Sequence, residues 1–300
     1  MENKVVADKI YDTLIIGPVS RDINIDCEGN EQRELGGAVI ASGYAAACMN
    51  RQVAVFTKCN KADADPMAAF QGCKADVYVR PSEKTCSIQN VYHTPDKERR
   101  TCTSLGVCDA FTFDEISDIH TRLYHFAGLV YGDFSGTMFR QAAERGKVAV
   151  DVQCLLRHVQ PDGSMEYADW REKREYLPYV DYLKTDAAEA QILTGTDDRR
   201  QAAKQLFAWG AREIMISHHT EILIYDGQEY YTCPIRSRNL SGRTGRGDTV
   251  ISAYLMKRQT CGIAEALQFA TALVSLKMET PGPFRGSEQD VENYIDEFYR

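Results

Sequence analysis

The sequence predicts a three-layer α/β/α fold, in which helices cover both faces of a mainly parallel sheet. Three observations favour this class. Short apolar runs alternate with helical patterns along most of the chain, as they do where helices join parallel strands. A chain of 300 residues with 44% hydrophobic side chains can bury a large core. No internal repeat, low-complexity stretch or Pro/Gly-rich linker interrupts it, so we expect one domain over residues 1–300.

The first part of the chain predicts three buried strands and one helix. The strands cover residues 11–17, 53–58 and 75–79, which are rich in β-branched and aromatic side chains. The helix covers residues 37–49, where small residues and alanines dominate.

Two extended runs at residues 85–92 and 99–104 predict a hairpin outside the main sheet. Polar and apolar residues alternate from Cys86 to Tyr92, which is typical of a strand with one exposed face. Thr94-Pro95-Asp96-Lys97 lies between the runs, and Pro and Asp suit the middle of a tight turn.

The second part of the chain predicts a regular alternation of strands and helices. We expect strands at 122–127, 148–152, 179–184, 213–217, 221–225 and 229–233. We expect helices at 136–146 and 199–209 and helices that begin near residues 186, 247, 263 and 287. Because ligands bind at the carboxyl ends of parallel strands, the functional residues should lie where strands give way to loops.

Charge and composition exclude several function classes. The formal net charge of −8 argues against a nucleic-acid-binding surface. No apolar run approaches the roughly 20 residues that span a bilayer, so we expect no membrane partner and a cytoplasmic location. The ten cysteines include no C-x-x-C pair and are interpreted as reduced thiols.

The most informative motif is the loop Gly245-Arg246-Gly247-Asp248, which opens an apolar helix. A glycine loop at a helix N-terminus leaves backbone N–H groups free to bind an anion, and the helix dipole favours negative charge there. An aspartate beside such a site can take a proton from an alcohol. The loop therefore predicts phosphoryl transfer to a hydroxyl, although the same pattern also occurs as a plain helix start.

A second group of residues fits a polyhydroxylated substrate. Asp22 and Asn24 alternate with isoleucines, so both side chains should lie on one face of an extended segment. Gly36-Gly37 then opens the alanine-rich helix. A carboxylate and an amide side by side can hold sugar hydroxyls; the alternative is a solvated strand face.

A third group, Asp186 and Glu189, begins a helix at positions i and i+3. Paired carboxylates there can organise a hydrated Mg²⁺ near phosphates. They can equally form a capping box, and both interpretations can hold together.

Taken together, these motifs resemble the ribokinase-like carbohydrate kinases of the PfkB family. The resemblance covers essentially the whole chain: the glycine pair near residue 36, a hairpin near 85–105, the segment 151–157, the D-x-x-E turn and the G-x-G-D loop occur in the family's order. It implies a ribokinase-like fold with a small β lid built from elements near 18–35 and 85–105.

The resemblance also implies a role for individual residues. Asp248 matches the catalytic base, and the backbone of Gly245, Arg246 and Gly247 matches the anion hole. It also implies Asp22, Gly36 and Gly37 for the substrate and Glu189 with Asp186 for the metal. Asn24 is assigned to the substrate from its place beside Asp22, and Gln153 and Arg157, which follow the strand that ends at Asp151, can contact the substrate or have a structural role. We further predict that Asp186, Ser217, Thr244 and Thr271 contact the nucleotide.

Four departures from the family pattern concern the phosphoryl donor. The loop begins with Gly242 where the family usually has Asp, which leaves dependence on a monovalent cation open. Arg246 replaces the usual Ala, and Asp186 replaces the usual Asn. Ser217-His218-His219-Thr220 lacks the glycine of the family's turn over the nucleotide; on a strand the two histidine rings would face opposite sides, so a metal site there is not expected.

The leading hypothesis is an ATP- and Mg²⁺-dependent kinase that acts on a sugar or polyol hydroxyl. The alternatives are a nucleoside kinase, with Tyr92 or Tyr131 in a wider acceptor pocket, and a catalytically weak ligand sensor of the same fold. The lid should exclude water from the transfer site. Pairing of two lids would also cover their exposed strand edges, which predicts a homodimer.

Overall fold

A nine-stranded sheet lies at the centre of the computed structural model, which describes residues 9–94 and 99–300. The strands in chain order are β1 Thr13–Ile16, β2 Ser20–Ile25, β3 Glu31–Gly36, β4 Val53–Cys59, β5 Asp76–Pro81, β6 Cys86–Tyr92, β7 Arg100–Gly106, β8 Leu123–Phe126, β9 Lys147–Asp151, β10 Arg157–Val159, β11 Met165–Tyr167, β12 Tyr182–Asp186, β13 Glu213–Ser217, β14 Glu221–Tyr225 and β15 Tyr230–Pro234. The helices are α1 Ala38–Ala47, α2 Pro66–Ala69, α3 Gly136–Ala143, α4 Gln153–Leu156, α5 Lys173–Tyr176, α6 Ala187–Thr194, α7 Arg199–Ala208, α8 Arg246–Arg258, α9 Ile263–Lys277 and α10 Glu288–Phe298.

The order of strands in the main sheet is β15-β14-β13-β12-β9-β8-β1-β4-β5. Every neighbouring pair from β13 to β5 is parallel, whereas β14 and β15 extend one edge antiparallel. The chain runs outward from β1 in one direction and then from β8 in the other, so the topological switch point lies between β1 and β8. The predicted mainly parallel sheet is confirmed.

Two apolar layers flank the sheet, because side chains of one strand alternate between its faces. Ile15 packs in the layer that contains α1, α8, α9 and α10, while Leu14 and Ile16 pack in the layer that contains α3, α6 and α7. The strands β1 and β4 are buried along their whole length. This arrangement is the predicted α/β/α fold.

A separate four-stranded sheet, in the order β3-β2-β6-β7, forms the lid. Buried and half-buried residues alternate along β6, as the sequence pattern predicted. The predicted turn tip at Pro95-Asp96-Lys97 lies outside the described residues, although Thr94 is described.

Sequence reasoning missed the short elements, chiefly the antiparallel hairpin β10–β11. This hairpin meets the lid, since the N–H of Ser104 donates to the carbonyl of Gly163 at 2.8 Å. Strands of three residues are set by such tertiary contacts and leave no periodic signal. Within the described residues, no helix is long and apolar enough to cross a membrane, and all ten cysteines are free thiols.

His125 on β8 is an unusual core residue. Its ring is buried, and within residues 9–94 and 99–300 neither ring nitrogen meets a hydrogen-bond partner. Burial, with a smaller contribution from the charge of Lys184, lowers the pKa of His125 to about 3. The folded protein therefore holds this imidazole neutral well below the pH at which the unfolded chain protonates it.

This depressed pKa predicts acid sensitivity. The stability that depends on neutral His125 is complete above the pKa of the unfolded chain, about 6.5, and is lost as the pH falls towards about 3. The loss is at most about 1.4 kcal/mol per pH unit. We expect His125→Leu to reduce the slope of the unfolding free energy against pH between these pH values, as measured by chemical denaturation. His120→Leu at an exposed position should leave the wild-type slope intact, and an unchanged slope in His125→Leu would contradict the assignment.

Candidate active site

The N-terminus of α8 is built on a left-handed glycine. Gly245 has φ 77° and ψ 15° and precedes the helix, whose first internal bond runs from the N–H of Thr249 to the carbonyl of Gly245 at 3.0 Å. A helix start leaves its first N–H groups without intrahelical partners. The N–H of Arg246 donates to the carbonyl of Arg243 at 3.3 Å, so one of the three predicted anion-hole residues is already engaged.

Asp248 is the third residue of α8 and is half-buried. Its carbonyl accepts a hydrogen bond from Oγ of Ser42 at 3.3 Å, which ties the loop to α1. Burial and the nearby Asp151 raise the pKa of Asp248 to about 6, against the opposing charges of Lys184 and Arg157. A carboxylate with a pKa close to neutral is suited to accept a proton.

Lys184 lies among three carboxylates. Its ammonium is 2.8 Å from Oδ2 of Asp151 and 4.0 Å from Oε2 of Glu189. The first pair follows from register, because Lys184 and Asp151 are partners across β12 and β9. Although burial opposes its charge, Asp151, Glu189 and Asp248 raise the pKa of Lys184, which is therefore a fixed cation.

The position of Lys184 also explains Gly247. A methyl group at Gly247 would lie 2.9 Å from Nζ of Lys184, so the glycine lets the α8 N-terminus approach this cation. Sequence reasoning assigned Lys184 no function. The available signal was a lysine directly after Tyr182-Leu183 in a predicted strand, because buried lysines need a charged partner.

Asp186 and Glu189 form the predicted capping box. The Asp186 carboxylate accepts from the N–H of Glu189 and the Glu189 carboxylate accepts from the N–H of Asp186, both at 2.8 Å. Burial raises the pKa of Glu189 to about 7; Lys184 opposes this rise, while Asp151 and Asp186 add to it. A buried carboxylate with a raised pKa gains from a nearby cation.

These carboxylates fit a hydrated Mg²⁺ that is shared with phosphates. Mg²⁺ typically keeps several waters and takes one or two protein carboxylates together with substrate phosphates. In the described part of the chain no group of three His, Cys, Asp or Glu side chains could hold a metal alone. Glu189 and Asp186 would therefore hold the ion only together with a bound donor, and their metal role stays a prediction.

Asp22 lies on β2 next to the glycine pair that opens α1. Its Oδ1 accepts from Oγ of Ser20 at 2.7 Å. Burial raises the pKa of Asp22 to about 6; the Ser20 hydrogen bond opposes this rise, Glu34 adds to it, and Arg100 and Arg157 oppose it. Gly36 leaves room for this carboxylate, because a methyl group at this position would lie 2.1 Å from Oδ2 of Asp22.

The other predicted substrate residues form two hydrogen-bonded groups. Asn24 donates to Glu34 at 2.7 Å and accepts from Asn90 at 3.0 Å. Arg157 donates to Gln153 at 2.7 Å and to the hydroxyl of Tyr167 at 3.0 Å. The guanidinium of Arg157 opposes the rise in the pKa of both Asp22 and Asp248, so its charge acts on the lid side of the site and on the first turn of α8.

Gly36 offers a direct test of the acceptor site. We expect Gly36→Ala to displace the Asp22 carboxylate and to raise the acceptor KM about 10- to 100-fold, since a hydrogen bond to a charged group contributes about 1.5–3 kcal/mol. The donor KM should stay near the wild-type value. Gly262→Ala is the control, because a methyl group there meets nothing within 4 Å. Equal acceptor KM in Gly36→Ala and wild type would remove Asp22 from the acceptor site.

Two cavities are distinct in character. One, of about 270 Å³, lies against the lid and is lined by residues that include Asp22, Glu34 and Ser87. A larger one, of about 540 Å³, lies between β15 and α9 and shares no lining residue with the groups around Asp248. The smaller cavity is the one that adjoins the predicted chemistry.

The predicted donor-side residues are only partly brought together. Asp186 and Ser217 are register partners at the ends of β12 and β13, and Oγ of Ser217 lies 3.5 Å from the carbonyl of Thr185. Thr244 is exposed in the loop before α8. Thr271 is fully buried, and its hydroxyl donates to the carbonyl of Leu267 at 2.7 Å. Its placement gives no support to a nucleotide contact, which stays a prediction from resemblance.

His218 and His219 follow β13 in a turn, so the alternation expected of a strand does not apply. Their ring centroids are 3.8 Å apart, and Nδ1 of His218 is 2.8 Å from Oγ1 of Thr220. Burial and the neighbouring charges of His219, Arg199 and Arg246 lower the pKa of His218. The charge of Arg246, at the start of α8, therefore acts on this turn.

Asp133 is a buried carboxylate in the loop after β8 that does not cap the following helix. Ser135 is the N-cap of α3, and Oδ2 of Asp133 accepts from the N–H groups of Leu129 at 2.6 Å and Val130 at 3.1 Å. Burial raises its pKa to about 6, although these two hydrogen bonds oppose the rise. The residue holds the loop after β8.

Comparison with known proteins places these features in context. The model of the pfkB family carbohydrate kinases matches residues 14–290. A solved pyrophosphate-dependent kinase in the ribokinase family, complexed with a pyrophosphate analogue and myo-inositol, is 31% identical, with a TM-score of 0.86 over 94% of this chain and 99% of that chain.

Two further relatives are more distant. The cytidine kinase of Thermococcus kodakarensis is 26% identical over 255 residues, which is 82% of this chain and 88% of the relative. A ribokinase of Arabidopsis thaliana, complexed with ribose and ATP, shares the fold with a TM-score of 0.74 at 15% identity, over 96% of this chain and 99% of that one.

Proposed function

Because the chain belongs to the pfkB family of carbohydrate kinases, we propose that it transfers a phosphoryl group to a hydroxyl of a sugar or polyol. One observation carries the proposal: Asp248, with its pKa raised to about 6, lies in the first turn of α8, where the charges of two buried cations, Lys184 and Arg157, act on it. This arrangement combines a base for the acceptor hydroxyl with positive charge for the transferred group.

In an in-line transfer, different residues of the chain have different roles. Asp22 and the Asn24–Asn90 pair bind and orient the acceptor from the lid side. Asp248 takes the proton of the attacking hydroxyl. The first N–H groups of α8 and the charge of Lys184 stabilise the negative charge of the transferred phosphoryl group. Mg²⁺, held through Glu189 and Asp186, would neutralise further charge on the donor phosphates.

ATP is the donor that the family resemblance implies. Pyrophosphate is a second candidate, favoured by a specific observation: His218 and His219 stand where the family has a glycine turn over the nucleotide, and the charge of Arg246 acts on His218 and lowers its pKa. A guanidinium beside the anion site suits a compact phosphate donor that has no base. The 31% identical relative is pyrophosphate-dependent.

The polar character of the acceptor side favours a polyol over a nucleoside. Asp22, Asn24, Asn90 and Arg157 supply donors and acceptors for several hydroxyls. Of the two tyrosines considered for a base pocket, Tyr92 is buried, and Tyr131 is 44% exposed and stacks on His158. The cytidine kinase relative makes cytidine the nucleoside to include in any test.

A donor–acceptor matrix tests the proposal. Wild type is incubated with Mg-ATP or Mg-pyrophosphate and with myo-inositol, ribose, fructose, cytidine or adenosine, and new phosphomonoesters are quantified. We expect product with at least one sugar or polyol. Turnover of cytidine alone would support the nucleoside alternative, whereas binding of a ligand in a thermal-shift assay with no product from either donor would support the sensor.

Three further predictions concern the setting of the enzyme. We propose a homodimer through the lid, whose edge strand β3 is largely exposed, and a monomeric mass in light scattering would contradict it. A cytoplasmic location and the lack of nucleic-acid and membrane partners stay predictions from charge and composition.

A further inference from the structure

Lys277, the last residue of α9, reaches into the loop that precedes α8. Its ammonium donates to the carbonyl of Gly242 at 2.5 Å and also to the carbonyl of Thr244. Lys277 is only 3% exposed. Two backbone carbonyls from one loop thus converge on a single buried cation, four and two residues before the first residue of α8.

Gly242 makes this contact possible. Its N–H donates to the carbonyl of Met278 at 2.7 Å, and a methyl group at Gly242 would lie 1.9 Å from the carbonyl oxygen of Thr280. The backbone at the end of α9 therefore occupies the space that a side chain at residue 242 would need. The loop has no room for a carboxylate at this position, and α9 supplies a cation instead.

Lys277 keeps its charge at neutral pH. Burial lowers the pKa of Lys277 to about 8, while the negative charges of Asp248 and Glu34 oppose that fall. The ammonium therefore holds the loop carbonyls and also lies near the catalytic carboxylate. Sequence reasoning missed this residue. The signal was its spacing, because Lys277 follows Val274 by three residues and Ala270 by seven and so lies on the same buried helix face.

We propose that Lys277 is a positioning residue whose ammonium serves as a built-in monovalent cation for the catalytic loop. By holding the Gly242 and Thr244 carbonyls, it fixes the path of residues 242–245 and hence the N-terminus of α8. A diffusible K⁺ would bind carbonyl oxygens in the same way, so the wild-type enzyme has no need of one. The kinetic part of this inference rests on the proposed function, and the binding part does not.

The experiment compares wild type, Lys277→Ala and the control Lys257→Ala in KCl, NH₄Cl and choline chloride at equal ionic strength. Lys257 also lies in a helix of the same layer, but its ammonium pairs with Glu288 and Glu292, both at 3.1 Å. We expect wild-type kcat to be equal in all three salts. Lys277→Ala should lose at least about tenfold in kcat in choline chloride, a difference of about 1.4 kcal/mol, and recover most of it in KCl or NH₄Cl.

A second readout does not depend on turnover. The Tm of Lys277→Ala should rise with KCl relative to choline chloride, because K⁺ binds the vacated carbonyls of the folded state, while wild type and Lys257→Ala should show no such difference. Activation of wild type by K⁺, or Lys277→Ala with wild-type kcat in choline chloride, would overturn the inference. A folded Lys277→Ala that no cation stabilises or reactivates would also overturn it. If the variant does not fold, the cation response of wild type decides.

Discussion

Asp248→Asn is expected to lower kcat by about two to four orders of magnitude, the range that a general base contributes. The substitution keeps the size of the side chain and the hydrogen bond between Ser42 and the residue 248 carbonyl, but it removes the proton acceptor. Because burial raises the pKa of Asp248 to about 6, kcat/KM of the wild type should fall as the pH drops below that value. The residual activity of the variant should lose the contribution of Asp248 to this acid limb.

The control for this prediction is Asp290→Asn. Asp290 is also the third residue of its helix, α10, where it accepts from the N–H of Ser287 at 2.7 Å. We expect it to retain wild-type kcat and the same acid limb. Steady-state kinetics from pH 5 to 8 provide the measurement. A kcat within a factor of a few of wild type in Asp248→Asn would show that another group removes the proton.

Lys184→Met should be the most destabilising substitution in the site. It removes a buried cation that is 2.8 Å from Asp151 and leaves the carboxylates of Asp151, Glu189 and Asp248 without their shared counter-ion. Removing one partner of a buried ion pair typically lowers the free energy of unfolding by about 3–5 kcal/mol. Lys184 also opposes the raised pKa values of Glu189 and Asp248, so the acid limb of kcat/KM should move to higher pH.

A double variant separates loss of charge from loss of packing. Asp151→Asn removes the carboxylate that Lys184→Met leaves without a partner. The amide oxygen of the asparagine can still accept from the N–H of Gln153, which is 3.1 Å from Oδ1 of Asp151 in the wild type. In Lys184→Met/Asp151→Asn we expect the protein to regain much of the lost unfolding free energy. The acid limb of kcat/KM should also return towards its wild-type pH. Exposed Lys74→Met should change stability by less than about 0.5 kcal/mol. Additive losses in the double variant would contradict the ion-pair explanation.

The fold could be predicted because its signals are local and repeated. Each parallel strand is a short apolar run between helices, and β1 and β4 are buried along their whole length as that pattern requires. The hairpin β10–β11 and the four-residue helices could not be predicted, because their stability comes from contacts such as Ser104 with Gly163 and not from their own sequence.

The candidate site likewise contains residues with a local sequence signal and residues that only tertiary contacts bring together. The loop 242–249 was identified because glycines and an aspartate before an apolar helix form a local pattern. The cations around it were not, because Lys184 and Lys277 come from β12 and α9 and meet the loop only in the folded chain. A buried lysine in an apolar element signals that an anion or a set of carbonyls lies nearby, but the sequence does not say which.

The transfer reaction itself tests the central claim most directly. Wild type and Asp248→Asn are incubated with Mg²⁺, a sugar or polyol identified in the matrix above, and the donor it pairs with, and the products are followed by ³¹P NMR. We predict a phosphomonoester on an acceptor hydroxyl, formed in step with donor consumption by wild type and at a strongly reduced rate by the variant. Donor hydrolysis without an acceptor ester, or equal ester formation by both proteins, would contradict the claim.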